Sequence, residues 1–255
     1  DFRVTSDQRV TAAFIIIGNE ILSGRTQDAN LSFLAGRLGE IGIQVIEARV
    51  IPDVEHTIIN TVQTLSAQVD YVFTSGGIGP THDDITADAV AKAFGTETFE
   101  DPDAVALLEA HYAAGEFNAA RRKMARVPRG STLLANPVST APGFRIGNVH
   151  VLAGVPKIMQ AMVDMLLPGL TGGAVVESRT ITVLIGESLI APEMAAVENA
   201  HPGIDVGSYP FFKPGASGTS IVLRGADVEE LERALADVTT RLEARDIEIW
   251  TGDHK

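Results

Sequence analysis

The stretch DYVFTSGGIGPTHDDITADAVAKAF, residues 70–94, reads as three things in succession. A short apolar run, DYVFTS, is followed by a loop with three glycines and a proline in five residues, and then by ITADAVAKAF with helical spacing. A strand that leads through a glycine loop into a helix is the repeating step of a parallel α/β sheet. The residues before it repeat the step. AAFIIIG is expected as a strand, ANLSFLAGRLGEIG as a helix, IQVIEARV as a strand and EHTIINTVQTLSAQ as a helix, so the chain enters DYVFTS as βαβαβ. Strands written as near-continuous apolar runs are buried on both faces, which a parallel sheet covered by helices requires.

Beyond the loop the pattern turns more polar, with helical segments around DAVALLEAHYAAGE and NAARRKMAR and short strands and turns in STLLANPVSTAPGF. VHVLAG then reads as another buried strand and PKIMQAMVDMLLPGL as the helix that returns over it. TGGAVVES has a linker's composition. After it come strand RTITVLIG, helix APEMAAVENAH, strands DVGSYPFF and TSIVLRG, helix VEELERALADVTTRLEA and strand IEIW, the β-α-β-β-α-β order of a split βαβ domain. The expectation is a three-layer α/β/α domain with a mostly parallel sheet over residues 11–172, and a small α+β domain of split βαβ, KH- or ferredoxin-like type over residues 173–255.

Composition bounds the function. The chain has 255 residues, 45% of them hydrophobic and 21% charged, a soluble globular composition. Its formal net charge of −13 argues against nucleic acid as a partner, because that binding rests on clustered Lys and Arg. The absence of cysteine excludes disulfides, thiolate nucleophiles and Cys-ligated metals. No apolar stretch reaches the roughly 20 residues a membrane helix needs, and DFRVTSDQRV lacks signal-peptide order, so a cytoplasmic location and no membrane partner are expected.

In an open parallel sheet, ligands gather outside the carboxyl ends of the strands. Gly76, Gly77 and Gly79 lie at such an end, where glycine admits positive φ and lets backbone N–H groups approach an anion. The alternative is a glycine-rich turn with Asp83 or Asp84 as helix cap. The loop matches neither GxxxxGK[ST] nor GxGxxG. Carboxylates follow the two preceding strands as well: Glu20 in IGNEILSGRTQDAN, between Gly18 and Gly24 with Asp28 and Asn30 opening the next helix, and Asp53 in VIPDVEH. Each alone reads as a cap or a solvated charge. Together Glu20, Asp53, Asp83 and Asp84 form a candidate acidic cluster beside an anion-binding loop. Because carboxylates repel phosphate, a divalent cation of the Mg²⁺ type is expected between them.

At these residues the sequence resembles the molybdopterin-binding domain family, in its CinA-like branch. The matching pieces are GNEILSGRTQDAN, PDVEHTI, SGGIGPTHDDIT, KMARVPRGSTLLANP, APGF and GVPKIM, from about Thr11 to Leu170. The remainder resembles the small second domain that follows in the same branch. The resemblance implies a pterin- or nucleotide-like ligand, with molybdopterin a possible one, held by Gly18, Glu20, Asp28, Asn30, Ser75, Gly76, Gly77, Gly79, Pro80, Thr81 and Lys157. It makes Asp53, Asp83 and Asp84 catalytic candidates and Glu20, Asp83 and Asp84 candidate ligands of Mg, Mn or Co. The activity implied is divalent-metal-dependent cleavage of a nucleotide pyrophosphate such as ADP-ribose or FAD; the alternatives are molybdopterin binding without catalysis and adenylyl transfer to molybdopterin. A homo-oligomer, dimer or trimer, is expected by the same analogy. The chain departs from the branch at Ala153, Ile158 and Ser139, where proline, an acid and glycine are usual.

Other features carry less. RRKMAR, Arg121 to Arg126, is expected as a solvated helix face, and Lys157 is the better single phosphate contact. Ser75 and Ser139 lack a G-x-S-x-G elbow, and no H-x-x-x-H spacing occurs. His82 is expected as a solvent-facing loop residue. GASG, Gly215 to Gly218, lies between two strands rather than two helices, against a KH-type nucleic-acid loop.

Overall fold

The computed structural model describes residues 9–213 and 216–250. They form two compact units, one ending at Gly173 and one beginning at Ala174.

In the first unit the order is β1 Val10–Ile17, α1 Asn19–Leu22, α2 Asn30–Gly39, β2 Ile43–Ile51, α3 Glu55–Ser66, β3 Tyr71–Ser75, α4 Thr86–Ala93, β4 Thr98–Glu100, α5 Pro102–His111, α6 Ala119–Lys123, β5 Arg126–Pro128, β6 Thr132–Leu134, β7 Gly143–Ile146, β8 Val149–Leu152 and α7 Pro156–Leu166. One sheet runs β2-β1-β3-β8-β7-β6. Its first four strands are parallel, while β7 and β6 run antiparallel to their neighbours.

Strand β1 explains the layering. Its side chains alternate between faces, yet all from Ala12 to Ile17 are buried. Ala13, Ile15 and Ile17 enter one core with Ile58, Val62 and Leu65 of α3 and Ala89 and Val90 of α4. Ala12, Phe14 and Ile16 enter a second core with Leu34 and Leu38 of α2 and Met159, Met162 and Val163 of α7. The sheet is thus covered on both faces, giving three layers. Leu34 and Leu38, four apart on one helix face, are fully buried, and Leu34→Ala is expected to cost about 2–5 kcal/mol.

Residues 98–128 form an excursion whose ends meet as a separate two-stranded antiparallel sheet, β4 with β5. Three-residue strands are too short to carry a readable alternation. Helix α5 starts where Asp101 accepts from Asp103 N and Ala104 N at 2.9 and 3.1 Å, with Pro102 in its first turn.

His150 on β8 is buried and stacks on Phe73 at 5.1 Å, with Tyr71 at 5.8 Å. Burial pushes its imidazole down to about 4, although the Asn148 carbonyl opposes this.

The second unit contains β9 Glu177–Val183, α8 Ala191–Ala200, β10 Asp205–Lys213, β11 Ala216–Gly225 and α9 Val228–Glu243. Its antiparallel sheet has the order β10-β11-β9. Met194 and Val197 of α8 and Leu231, Ala234, Val238 and Leu242 of α9 pack in its core. The IEIW strand is reduced to one antiparallel bridge, Ile249 with Val183. Asp246 turns the chain with a φ of 57° into this segment, and Trp250 N donates to Thr182 O at 2.8 Å beside the bridge. In GASG, Gly215 lies outside the described residues, whereas Ala216–Gly218 open β11, and a Cβ on Gly218 would collide with the Val183 carbonyl. No helix among the described residues is long and apolar enough to cross a membrane.

Candidate functional site

The loop after β3 owes its shape first to packing. Gly76 has a φ of 102° and Gly77 one of 68°. A Cβ on Gly76 would run into the Ile17 carbonyl oxygen at the end of β1, and one on Gly77 into the Thr86 hydroxyl at the start of α4. The backbone is fastened at both ends: Gly76 N donates to Leu152 O at 3.2 Å, Thr86 N to Gly77 O at 3.0 Å and Thr86 Oγ1 to Gly76 O at 3.0 Å. Between these anchors the N–H groups of Gly77, Ile78 and Gly79 form no hydrogen bond among the described residues. Such donors are the raw material of an anion site.

Neither Asp83 nor Asp84 caps α4, whose cap position, Ile85, makes no side-chain bond. Both turn to Thr81 instead. Asp84 Oδ2 accepts from Thr81 N at 2.8 Å and occupies the space beside Gly79, 2.8 Å from where a Cβ would stand. Thr81 Oγ1 lies 2.6 Å from Asp83 Oδ1 and also within bonding distance of Asp84 Oδ2. One hydroxyl proton thus faces two carboxylates. The Thr81 bond, aided by backbone donation and the charges of His82 and Lys123, holds the Asp83 carboxyl below its usual range.

Beside β3, the turn after β1 is tied to the end of β2. Gly18 N donates to Ile51 O at 3.1 Å, and Asn19 N to Asp53 Oδ2 at 3.0 Å. The Glu20 carboxylate lies over Gly18, in space that a Cβ there would need. A cavity of about 520 Å³ opens along these ends, within the usual range for small-molecule sites. Glu20, Asp53, Asp83 and Asp84 all line it, together with Gly18, Gly76, Gly77, Gly79, Pro80 and Thr81.

Four expected contacts lie elsewhere. Asp28 accepts from Asn30 N and Leu31 N at 3.2 and 3.0 Å and so starts α2. Asn30 is buried behind the wall, where its Nδ2 donates to Gly154 O at 2.9 Å. Ser75 is buried inside β3. Lys157 is exposed and outside the lining, although its neighbours Pro156 and Ile158 are part of it.

Two contributors had no distinct sequence signal. Within RRKMAR, Arg121 stacks on Tyr112 and pairs with Glu116, and Arg122 pairs with Glu100. Lys123, however, donates to the Thr81 carbonyl, so it holds the glycine loop rather than belonging to a solvated face. Lys123 and Arg126 line a smaller pocket that shares Gly77, Gly79 and Asp84 with the large cavity. The second contributor is Asn136, buried in the β6–β7 connection, which lines the large cavity with Ser139 and Ala141. Its Oδ1 accepts from Val138 N and Ser139 N, both at 3.1 Å, and its Nδ2 donates to Ser139 Oγ at 2.7 Å and Ala141 O at 2.8 Å.

The described lining of the large cavity therefore carries four carboxylates and no Lys, Arg or His. The donors suit a hard divalent cation in kind, since all are oxygens. Among the described residues, no three His, Asp or Glu groups converge closely enough to hold a metal. Within the cavity, Asp83 and Asp84 are drawn together by sharing the Thr81 hydroxyl.

A three-layer α/β domain with a glycine loop and an acidic cavity at its strand ends belongs to the class of small-molecule-binding doubly wound proteins. The chain belongs to the family described as probable molybdopterin binding domain, whose profile matches residues 13–198, and to its CinA-like branch. A second profile, FAD synthase middle domain, matches residues 175–249. A protein of Pyrobaculum calidifontis is 37% identical over 211 residues, covering 78% of this chain and 80% of that one. A CinA-like protein of Citrifermentans bemidjiense is 41% identical over 167 residues, 63% of this chain but only 40% of that longer relative. Among solved structures, the protein CinA with unknown function from Thermoplasma acidophilum superposes with a TM-score of 0.60 at 36% identity, over 63% of this chain and 98% of that one.

Proposed function

We propose that the large cavity binds a nucleotide- or pterin-type ligand through its diphosphate, and that the chain is a divalent-metal-dependent nucleotide pyrophosphatase cleaving ADP-ribose or FAD to AMP and a phosphate ester. The observation that carries this reading is the pairing of three unbonded N–H groups, at Gly77, Ile78 and Gly79, with four carboxylates and no basic side chain in the described lining. The N–H groups suit diphosphate oxygens. The carboxylates would repel them unless a cation intervened, and a bound Mg, Mn or Co ion would supply that neutralisation and a water of lowered pKa. Glu20, Asp83 and Asp84, which do not converge on one point among the described residues, would have to draw together around it, with Asp53 as a further carboxylate of the same lining.

The chain's own groups then have defined tasks. Gly77 to Gly79 orient the diphosphate for in-line attack. Asp83, held below the usual carboxylate range, stays ionised at neutral pH. Thr81 keeps the two aspartates together, and Lys123 braces the loop through the Thr81 carbonyl. The FAD synthase profile on the second unit supports a nucleotide over another diphosphate. A cytoplasmic homo-oligomer, dimer or trimer, completes the proposal, and sedimentation tests its oligomeric part.

A second reading is favoured by one observation. Asp83 and Asp84 are engaged with Thr81 and Asp53 with Asn19 N, and no three acids among the described residues converge. This suits a molybdopterin binder without catalysis, or adenylyl transfer to molybdopterin from a nucleoside triphosphate. AMP release from ADP-ribose and FAD, with Mg²⁺, Mn²⁺ or Co²⁺ against a chelator, separates them. Metal-dependent release that falls at least about 100-fold in Asp84→Ala is expected; full turnover in that variant, or no release with any metal, contradicts the hydrolytic assignment.

A further inference from the structure

The strand order β2-β1-β3-β8-β7-β6 sorts the cavity by charge. Asp53 follows β2, Glu20 follows β1, and Asp83 and Asp84 follow β3, so every carboxylate in the described lining lies on one side. The other side comes from the segment after β8, Ala153 to Ile158, and from Asn136, Ser139 and Ala141 before β7, and carries no ionisable group in the lining.

One hydroxyl on this neutral side has its hydrogen-bonding role decided. Asn136 faces two backbone N–H groups, of Val138 and Ser139, which can only donate. The atom that receives them must be the amide oxygen, so the nitrogen is the atom facing Ala141 O and Ser139 Oγ. An amide nitrogen only donates, hence Ser139 Oγ accepts. Its own proton makes no bond to any described residue and is left for another acceptor. Because Asn136 is only 7% exposed and fully bonded, it fixes the Ser139 backbone and hydroxyl together. Thr140, next in sequence, has a φ of 66°, which a β-branched residue seldom adopts, and is tied to His111 Nδ1 at 3.0 Å. The hydroxyl is therefore presented by a braced connection.

We infer that Ser139 is a specificity-determining residue that donates to an acceptor on the uncharged, heterocycle-and-sugar part of a nucleotide, while the diphosphate lies with its cation on the carboxylate side. This rests on the diphosphate reading above. In a polar site, a donor of fixed direction discriminates against ligands that lack the matching acceptor.

The test is isothermal titration of the full chain with Mg²⁺-ADP and with Mg²⁺-pyrophosphate, which share the diphosphate and differ in the nucleoside. Ser139→Ala is expected to weaken ADP binding about three- to tenfold, the size of one lost hydrogen bond, and to leave pyrophosphate binding unchanged. Ser139→Thr, which keeps the hydroxyl, should remain within about twofold of the parent. If Ser139→Ala binds ADP as the parent does while Asp84→Ala loses both ligands, the Ser139 assignment falls and the diphosphate reading stands. Equal weakening of both ligands would put Ser139 on the phosphates and also overturn the assignment. A parent chain that binds neither ligand would overturn the diphosphate reading and this inference with it.

Discussion

The two walls of the large cavity stand on one sheet edge and are held by opposite means. The acidic wall, after β1, β2 and β3, depends on exclusion: at Gly76 and Gly77 a Cβ would meet the Ile17 carbonyl and the Thr86 hydroxyl, so only glycine lets the loop lie this close to β1 and α4. The neutral wall is shaped by attachment, with one buried amide, Asn136, making four hydrogen bonds within its own connection. Between its hydrogen-bonded anchors at Gly76 and Thr86, this wall leaves backbone donors unspent at Gly77, Ile78 and Gly79. Attachment consumes donors and leaves a single directed hydroxyl. One wall is thereby suited to a charged group and the other to a neutral one.

Breaking each wall should have different consequences. Gly76→Ala adds a Cβ against the Ile17 carbonyl at a φ of 102°; it is expected to cost about 3–5 kcal/mol in urea unfolding and to abolish Mg²⁺-pyrophosphate binding with the acidic wall. The sheet beneath both walls supplies the next largest effect. His150 has a folded pKa of about 4, below its unfolded value of 6.5, so the unfolded chain binds the extra proton between those values. Stability is then fully present above pH 6.5 and lost as pH falls toward 4, by up to about 3 kcal/mol, and His150→Leu should flatten that part of the pH–stability curve.

Asn136→Ala leaves the Val138 and Ser139 N–H groups without their acceptor and should cost about 2 kcal/mol. It sharpens the comparison if ADP affinity falls while pyrophosphate affinity holds. Lys123→Met is the mildest change. It removes the donor to Thr81 O, should cost about 1 kcal/mol or less, and should let the Asp83 pKa rise slightly in a carboxyl-carbon NMR titration, since the Lys123 charge is the smallest of its causes.

The parallel sheet was legible because burial on both faces leaves no polar alternation: Ala12 to Ile17 divide between two cores without a solvent-facing residue. The glycine loop was legible because a strand, a glycine run and a helix follow one another directly. The glycines, however, answer to packing against Ile17 and Thr86 that no spacing reveals. Asp28, which opens the next helix in the sequence and is implied as a ligand contact only by the resemblance, bonds its own helix start. RRKMAR was illegible for a different reason, since three adjacent basic residues are equivalent until the fold gives Arg121 a Tyr112 ring, Arg122 a Glu100 carboxylate and Lys123 the Thr81 carbonyl. Asn136 sits in NPVST, where no periodicity marks a buried amide.

The most direct test of the account is an amide ¹H–¹⁵N NMR titration of the chain with Mg²⁺-ADP. Shifts concentrated at Gly77, Ile78 and Gly79, absent with adenosine and reproduced by Mg²⁺-pyrophosphate, are the predicted result. Saturable binding that leaves those three amides unmoved would contradict it.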